Sequence, residues 1–376
     1  MCGFSTIISN IPIDDTTVSS AMPYFQKIQY RGPDDSSEEL VDSNVFMSFH
    51  RLSIMGVGDD GNQPIACPES KVYLVCNGEI YNHKELNDRF GFSNETGSDC
   101  EAIIHLYKMF GIEGAIQLLD GVYAFVLYDC DSKVAYSARD PFGVRPSFFG
   151  SFSNGFMISS EAKAISALSE SVVPFPPGSW WSSDNPSEFE TFYKKEYNID
   201  YSLVDESEIL QTIRHELVYA VEKRLMSERE VGCLLSGGLD SSLIASLVSK
   251  MSKGYRLRDK EWKLFPDLKV DCKLKTFSIG LEGSPDLKYA KEVANKIGSD
   301  HHEVLLTEQE FLESIEDVVF KIESYDTTTV RASVGNYLVS KYISENTDCK
   351  VIFNGDGSDE ATCGYVYNIN APTPLD

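Results

Sequence analysis

Cys2 follows the initiator methionine directly. A small second residue favours removal of Met1, which leaves a terminal residue carrying a thiol nucleophile and an α-amine base together. An unperturbed α-amine titrates at about 7.7–8.0, so it accepts a proton near neutrality. Such a pair activates its thiol without a His/Asp partner, as in the threonine and N-terminal amine arrangement. A cysteine in second place is equally an ordinary residue when taken alone. It has company, however. Charged and amide-bearing strings recur at Tyr30-Arg31-Gly32-Pro33-Asp34-Asp35-Ser36, His50-Arg51-Leu52-Ser53-Ile54, Asn62-Gln63-Pro64-Ile65, Asn77-Gly78-Glu79-Ile80, Gly97-Ser98-Asp99-Cys100-Glu101 and Ala138-Arg139-Asp140-Pro141-Phe142-Gly143.

A second group of residues suits a phosphate. The apolar run Val231–Leu235 enters Ser236-Gly237-Gly238-Leu239-Asp240-Ser241-Ser242. Two glycines after a buried strand let backbone N–H groups converge on an anion, and the following helix N-terminus adds its dipole. Ser236, Ser241 and Ser242 add hydroxyl donors. No Gly-Lys-Ser/Thr ends the loop, so it is not a Walker A sequence. A glycine turn with a serine cap is the plainer reading of such a string. The second strand end at Val351–Phe353 runs into Asn354-Gly355-Asp356-Gly357-Ser358-Asp359-Glu360, and a third at Thr276–Gly280 includes Ile279. In open α/β sheets ligands gather at such strand ends.

The intervening pattern shows what must position these groups. Over the first 185 residues short alternating runs dominate. Val72–Cys76, Val122–Tyr128, Val134–Ala138 and Phe156–Ser159 read as strands, and Glu101–Phe110 as a helix. This mix predicts a layered α+β domain. Pro-rich Val172–Pro177 and polar Ser182–Ser187 read as a break. From Glu206 onward strands alternate with helices: Ile209–Met226 (helix), Val231–Leu235 (strand), Ser241–Lys250 (helix), Lys275–Ile279 (strand), Asp286–Ile297, Phe311–Ile322 and Val334–Ile343 (helices). That alternation predicts a doubly wound parallel sheet. The polar, basic stretch Met251–Leu274 reads as an insertion. Domains are expected over 1–185 and 205–376.

Composition narrows the classes. A chain of 376 residues accommodates two domains at about 100–200 residues each. Its 33 Lys+Arg against 58 Asp+Glu give a net charge of −25, which disfavours broad electrostatic binding of nucleic acid. No apolar run is long enough to span a bilayer, and the N-terminus lacks signal-peptide character. The nine cysteines contain no C-x-x-C pair, and most sit in apolar runs that suit buried thiols in a reducing cytoplasm. Adjacent His301 and His302 point to opposite faces of a strand, so they do not form a joint metal site.

The strings from Cys2 to Lys163 resemble the glutaminase domain of the N-terminal-nucleophile (class II) glutamine amidotransferases. The Ser236–Ser242 loop resembles that of ATP pyrophosphatase-type enzymes. Together with Gly283-Ser284-Pro285-Asp286, Glu323-Ser324-Tyr325-Asp326 and Thr327–Ser333, they resemble the glutamine-dependent asparagine synthetase family over nearly the whole chain. Phosphoribosyl amidotransferases share only the first domain, and Ser236–Ser242 argues against them.

The resemblance implies an αββα-type Ntn-hydrolase sandwich followed by a doubly wound ATP pyrophosphatase-type domain. It implies Cys2 as nucleophile, with an oxyanion hole from the Asn77 side chain and the Gly78 N–H. Arg51 would hold the α-carboxylate of glutamine, and Glu79 and Asp99 its α-ammonium. ATP would lie along Leu235, Ser236, Gly237, Gly238, Asp240, Ser241, Ser242, Ile279 and Gly355. Thr328 and Arg331 would contact the acyl-adenylate or its phosphates. Asp240 and Asp359 are candidates for Mg²⁺, although either acid equally suits a helix cap. The expected partners are glutamine, aspartate and ATP, without nucleic acid or membrane, and with a homodimer left open.

Three departures from the family pattern stand out. The family's Gly-Glu-Gly-Ser-Asp-Glu reads Gly355-Asp356-Gly357-Ser358-Asp359-Glu360, which puts a shorter carboxylate at a position assigned to the ammonia step. Asn370 stands where a lysine is expected, and the sequence stops at Asp376, short of the family's synthetase domain. A synthetase, a glutaminase with a degenerate second half, and a non-catalytic paralogue all remain open at this level.

Overall fold

The computed structural model describes residues 1–67, 71–195, 205–258, 260–270 and 272–370. The chain forms two compact units, 1–199 and 200–376.

In the first unit the elements run β1 (Gly3–Ser9), α1 (Asp15–Phe25), β2 (Asp35–Asp42), β3 (Val45–Arg51), β4 (Ile65–Cys67), β5 (Val72–Ile80), α2 (His83–Phe90), α3 (Glu101–Leu118), β6 (Gly121–Asp129), β7 (Val134–Arg139), β8 (Phe148–Phe152), β9 (Gly155–Ser159), β10 (Ser171–Pro174), β11 (Ser179–Ser182) and β12 (Glu190–Thr191). They build two antiparallel six-stranded sheets, ordered β10-β8-β9-β1-β3-β2 and β12-β11-β7-β6-β5-β4. Strand alternation sorts the side chains into layers. On β5, Val75 packs between the sheets with Phe4, Met47, Val126 and Trp181. Its neighbours Leu74 and Cys76 face the other way, against Ile103, Leu106 and Ile116 of α3. The outer face of the first sheet packs Ile7, Phe46 and Met157 against Phe25 of α1. The layering is therefore α/β/β/α, as expected.

In the second unit α4 (Glu206–Lys223) precedes β13 (Glu230–Leu234), α5 (Leu239–Ser252), β14 (Lys253–Arg258), β15 (Glu261–Lys269), β16 (Lys275–Leu281), α6 (Pro285–Ile297), β17 (Asp300–Leu306), α7 (Glu308–Glu313), α8 (Ile315–Ile322), α9 (Thr327–Asn346), β18 (Cys349–Phe353) and α10 (Ser358–Thr362). Four parallel strands lie in the order β17-β16-β13-β18. One face carries α4, α5 and α6 through Val218, Ala245, Val248 and Ala290. The other carries α9 through Val339 and Ile343 against Phe277. Helices on both faces make the sheet doubly wound. The chain reverses its direction of travel across the sheet between β13 and β18, and ligands bind at such a switch point.

Several expectations need correction. Val172–Pro177 does not open a break, although Ser182–Ser187 does form a polar loop, between β11 and β12. Ser171–Pro174 pairs with β8, and Ser179–Ser182 pairs with β7, burying Trp180 and Trp181. Phe311–Ile322 is not one helix. A capping box of Thr307 and Glu310 starts α7, and Ser314 separates it from α8, its hydroxyl turned back to the Phe311 carbonyl at 2.9 Å. The Met251–Leu274 insertion is largely a hairpin, β14 paired with β15.

Candidate active site

Cys2 precedes the first residue of β1, and β1 lies between β3 and β9. That placement brings the thiol to the ends of three strands. The Cys2 S–H donates to the Leu52 carbonyl at 3.4 Å, and the Leu52 N–H approaches Sγ at 3.3 Å. Burial pushes the thiol above its usual range, while the adjacent amine, the Leu52 N–H and Arg145 pull it down. The Met1 side chain is half exposed, but its α-amine is desolvated and pushed down to about 5.

β5 delivers the next group. Asn77 is buried, and its Nδ2 donor has no hydrogen-bond partner. A buried orphan donor costs stability, so it marks a place where an acceptor is expected. The strand is held just before it by Gln63, whose side chain accepts from the Cys76 N–H at 2.6 Å and donates to the Cys76 carbonyl at 3.2 Å.

Beyond Gly78 the acids gather. Glu79 is ion-paired with Arg145 at 2.5 Å. Asp99, at the entry to α3, accepts from the Ile80 N–H at 2.6 Å and is almost fully buried. Burial pushes its carboxyl up to about 7, and the Glu79 charge adds to the rise. Arg51 ends β3, and its guanidinium donates to the Gly58 carbonyl at 2.9 Å, to the Asn62 side chain and to the Gly56 carbonyl. In this conformation it organises the loop over residues 56–62. The loops on either side are stitched together, since Ser53 donates twice to Asp34 at 2.9 Å and Asn62 donates to Asp35 at 2.6 Å.

Arg145 was not among the sequence candidates. Its N–H is turned by Asp140 at 3.0 Å, its carbonyl accepts from Arg139 at 2.7 Å, and its Nε is buried without a partner. Burial alone would lower the guanidinium, but the Glu79 charge outweighs it and keeps Arg145 firmly protonated. The only sequence signal was its position just after Asp140–Gly143. Arg31, in the Tyr30–Ser36 string, and Glu161, two residues before Lys163, carry no role in the sequence reading, yet Arg31 bonds the Cys2 carbonyl and Glu161 pairs with Arg31.

In the second unit the loop after β13 is as the glycine pattern requires. Gly237 adopts φ +83°, a left-handed conformation that suits glycine. Ser236 and Ser241 join hydroxyls at 2.9 Å across the loop, and the Ser242 hydroxyl is buried without a partner. Gly238, not an acid, caps α5, so Asp240 lies in its first turn. Gly357 likewise caps α10 ahead of Asp359. The helix-cap alternative for both acids is thereby removed. The two loops meet at the switch point. A Cβ on Gly355 would lie 2.9 Å from Asp240 Cβ and 2.9 Å from the Ser241 nitrogen. Leu235 is buried, its N–H donating to the Phe277 carbonyl at 2.8 Å, and Ile279 lies on the neighbouring β16. Asp356 is exposed and accepts from Asn354 at 2.7 Å. Thr328 and Arg331 are exposed near the start of α9, whose cap is Asp326. His301 bonds Thr276 at 2.9 Å, whereas His302 packs on Phe277, so the pair does face opposite ways. Among the described residues no group of three or more His, Cys, Asp or Glu forms a metal cluster, and no helix is long and apolar enough to cross a membrane.

Residues 1–175 match the glutamine amidotransferase domain family, and residues 212–373 match the asparagine synthase family. The chain thus joins a class II amidotransferase sandwich to a synthase-type α/β unit. An asparagine synthetase (glutamine-hydrolyzing) of Cricetulus griseus is 42% identical over 401 residues, covering 100% of this chain and 68% of the relative. The Homo sapiens protein of the same name is 41% identical with the same coverage. A solved glutamine phosphoribosylpyrophosphate amidotransferase from B. subtilis is similar at 13% identity and TM-score 0.44, covering 100% of this chain and 94% of its own. The chain belongs to the glutamine-hydrolysing asparagine synthetase family.

Proposed function

We propose that this chain forms asparagine from aspartate, with glutamine as nitrogen donor and ATP as activating substrate. In the first unit, loss of Met1 frees the Cys2 α-amine. That amine takes the thiol proton as Sγ attacks the side-chain carbonyl of glutamine. The oxyanion is met by the Asn77 Nδ2 and the Gly78 N–H, donors of a kind worth about 2.7–4 kcal/mol each. The C–N bond breaks, the amine returns its proton to the leaving nitrogen, and ammonia departs. Water then cleaves the thioester to glutamate and restores the thiol. Glu79 and Asp99 receive the substrate ammonium, and Arg51 serves its carboxylate directly or through the loop that it organises.

In the second unit the Ser236–Ser242 loop cradles the ATP phosphates while the aspartate β-carboxylate displaces pyrophosphate. Ammonia then displaces AMP. Thr328 and Arg331 act on the intermediate. Asp240 and Asp359 would hold Mg²⁺, an ion that takes one or two carboxylates plus phosphate oxygens and would there offset charge on the departing pyrophosphate.

The observation that carries the reading is the buried, unpartnered Asn77 donor in the sandwich that presents Cys2. The test is incubation with glutamine, aspartate, ATP and Mg²⁺, with glutamate, pyrophosphate and asparagine measured together. Equal yields of all three are expected. Pyrophosphate release that does not depend on aspartate contradicts the synthetase half. Glutamate alone supports a second reading, a glutaminase whose synthetase half has decayed. The Asp356 carboxylate, one methylene short and tied to Asn354, favours that reading.

A further inference from the structure

Behind Cys2 lies a set of buried charges with no part in the chemistry above. Arg31 Nε donates to the Cys2 carbonyl at 2.8 Å. Arg31 Nη1 meets Glu161 at 2.6 Å, with both side chains nearly enclosed. Glu161 also accepts from the Tyr30 hydroxyl at 2.6 and 2.8 Å and from the Lys163 ammonium. Lys163 in turn reaches the Tyr30 hydroxyl at 3.2 Å. Burial would raise the Glu161 carboxyl, but Arg31, Lys163 and Tyr30 hold it below its ordinary range, so it stays ionised.

Once Met1 is gone, Cys2 is joined to the chain through its carbonyl side alone, and apart from the contacts of Sγ with Leu52 the hold on that carbonyl sets where its thiol and α-amine sit. Arg31 holds it, and the stem of Arg31 also rests on the chain beside it, since a Cβ on Gly3 would lie 3.2 Å from Arg31 Cδ. A guanidinium left without a counter-charge in so enclosed a place would turn toward water.

We infer that Glu161 is a positioning residue for the nucleophile: through Arg31 it fixes the Cys2 carbonyl, and with Arg31 and Lys163 it sets the charge around the terminal thiol and amine. The inference rests on the glutamine-hydrolysing reading of Cys2. With Met1 in place, the Met1 amine, Arg145 and Glu79 act on that thiol, and Arg31 acts on the Met1 amine. Glu161 contributes by balancing Arg31 and Lys163.

The test uses the full chain and three variants: Glu161→Gln, which keeps shape and removes charge, Glu161→Asp, which keeps charge at shorter reach, and Tyr30→Phe. Two quantities are read. One is kcat and KM for glutamate release from glutamine. The other is the pH midpoint of Cys2 alkylation by iodoacetamide, followed by mass spectrometry of the N-terminal peptide. Glu161→Gln is expected to lower kcat by about 10- to 100-fold, the cost of a small misplacement, with KM within about twofold. It also moves the alkylation midpoint to lower pH, because Arg31 and Lys163 are then unbalanced. Glu161→Asp returns the midpoint to the wild-type value and recovers kcat in part. Should Glu161→Gln fail to fold, Tyr30→Phe gives the readout, with a smaller loss of kcat. An unchanged kcat, or a loss of kcat with an unmoved midpoint and a lowered melting temperature, overturns the inference. If the wild-type chain releases no glutamate, the hydrolytic reading of Cys2 has failed, and the midpoint alone decides whether Glu161 is linked to the thiol.

Discussion

The guanidinium of Arg145 and the carboxylate of Glu79 meet at 2.5 Å, across 66 residues of chain, beside the candidate nucleophile. Both are largely removed from water, so neither tolerates loss of the other. Arg145→Met is expected to cost about 3 kcal/mol, near the low end for breaking a buried pair because Glu79 keeps some access to solvent. Urea unfolding midpoints check this. Adding Glu79→Gln restores much of the loss, and a double-mutant cycle reads the coupling.

Asp99 carries a sign that is easily measured. Its folded carboxyl titrates at about 7, well above the ordinary 3.8. Between those values the folded chain keeps a proton that the unfolded chain has lost. Stability from this group is therefore present at low pH and falls as pH rises from about 4 to about 7. Asp99→Asn removes that slope. A bound ammonium favours the ionised form, so glutamine binding releases a proton below about pH 7, and KM for glutamine rises as pH falls through that value. A KM that stays flat from pH 5.5 to pH 8 would contradict the placement of the ammonium at Asp99.

Asn77→Ala removes the orphan donor. The loss belongs to the transition state, so kcat for glutamate release should fall by about 10²–10³ with KM little changed. A variant whose KM rises instead, with kcat preserved, would make Asn77 a substrate-binding group.

Gly355→Ala tests the second unit independently. The new methyl would press on Asp240 Cβ and on the Ser241 nitrogen, each 2.9 Å away, and backbone cannot yield as a flexible side chain does. ATP-dependent pyrophosphate release is expected to fall by about tenfold or more, while glutamate release is retained. Loss of both activities would mean that the two units do not act separately in this respect.

How much of this was legible in the sequence depends on local pattern. Helices with one apolar face, such as α6, and strands that carry an unbroken apolar run, such as Val72–Cys76 of β5, announced themselves. The strand Gly3–Ser9 did not, because it is buried on both faces and mixes Ser and Thr with Ile, which leaves no period of two to read. Ser179–Ser182 was hidden in the same way between prolines and serines. The glycine loops at the switch point were plain because their composition is their function. Arg145 was not, since its partner Glu79 is distant in sequence and only the pairing of sheets and loops brings them together. The Arg31–Glu161 pair spans 130 residues and was concealed for the same reason.

Attack on glutamine by Cys2, freed of Met1, is the step on which the proposed reaction depends. It is tested most directly by exposing the chain to an electrophilic glutamine analogue and sequencing its N-terminal peptide by mass spectrometry. The expected product is a peptide beginning at Cys2, with one analogue attached at Sγ, and no labelling of a Cys2→Ala variant. A peptide that still begins at Met1, or label on another of the nine cysteines, would contradict it.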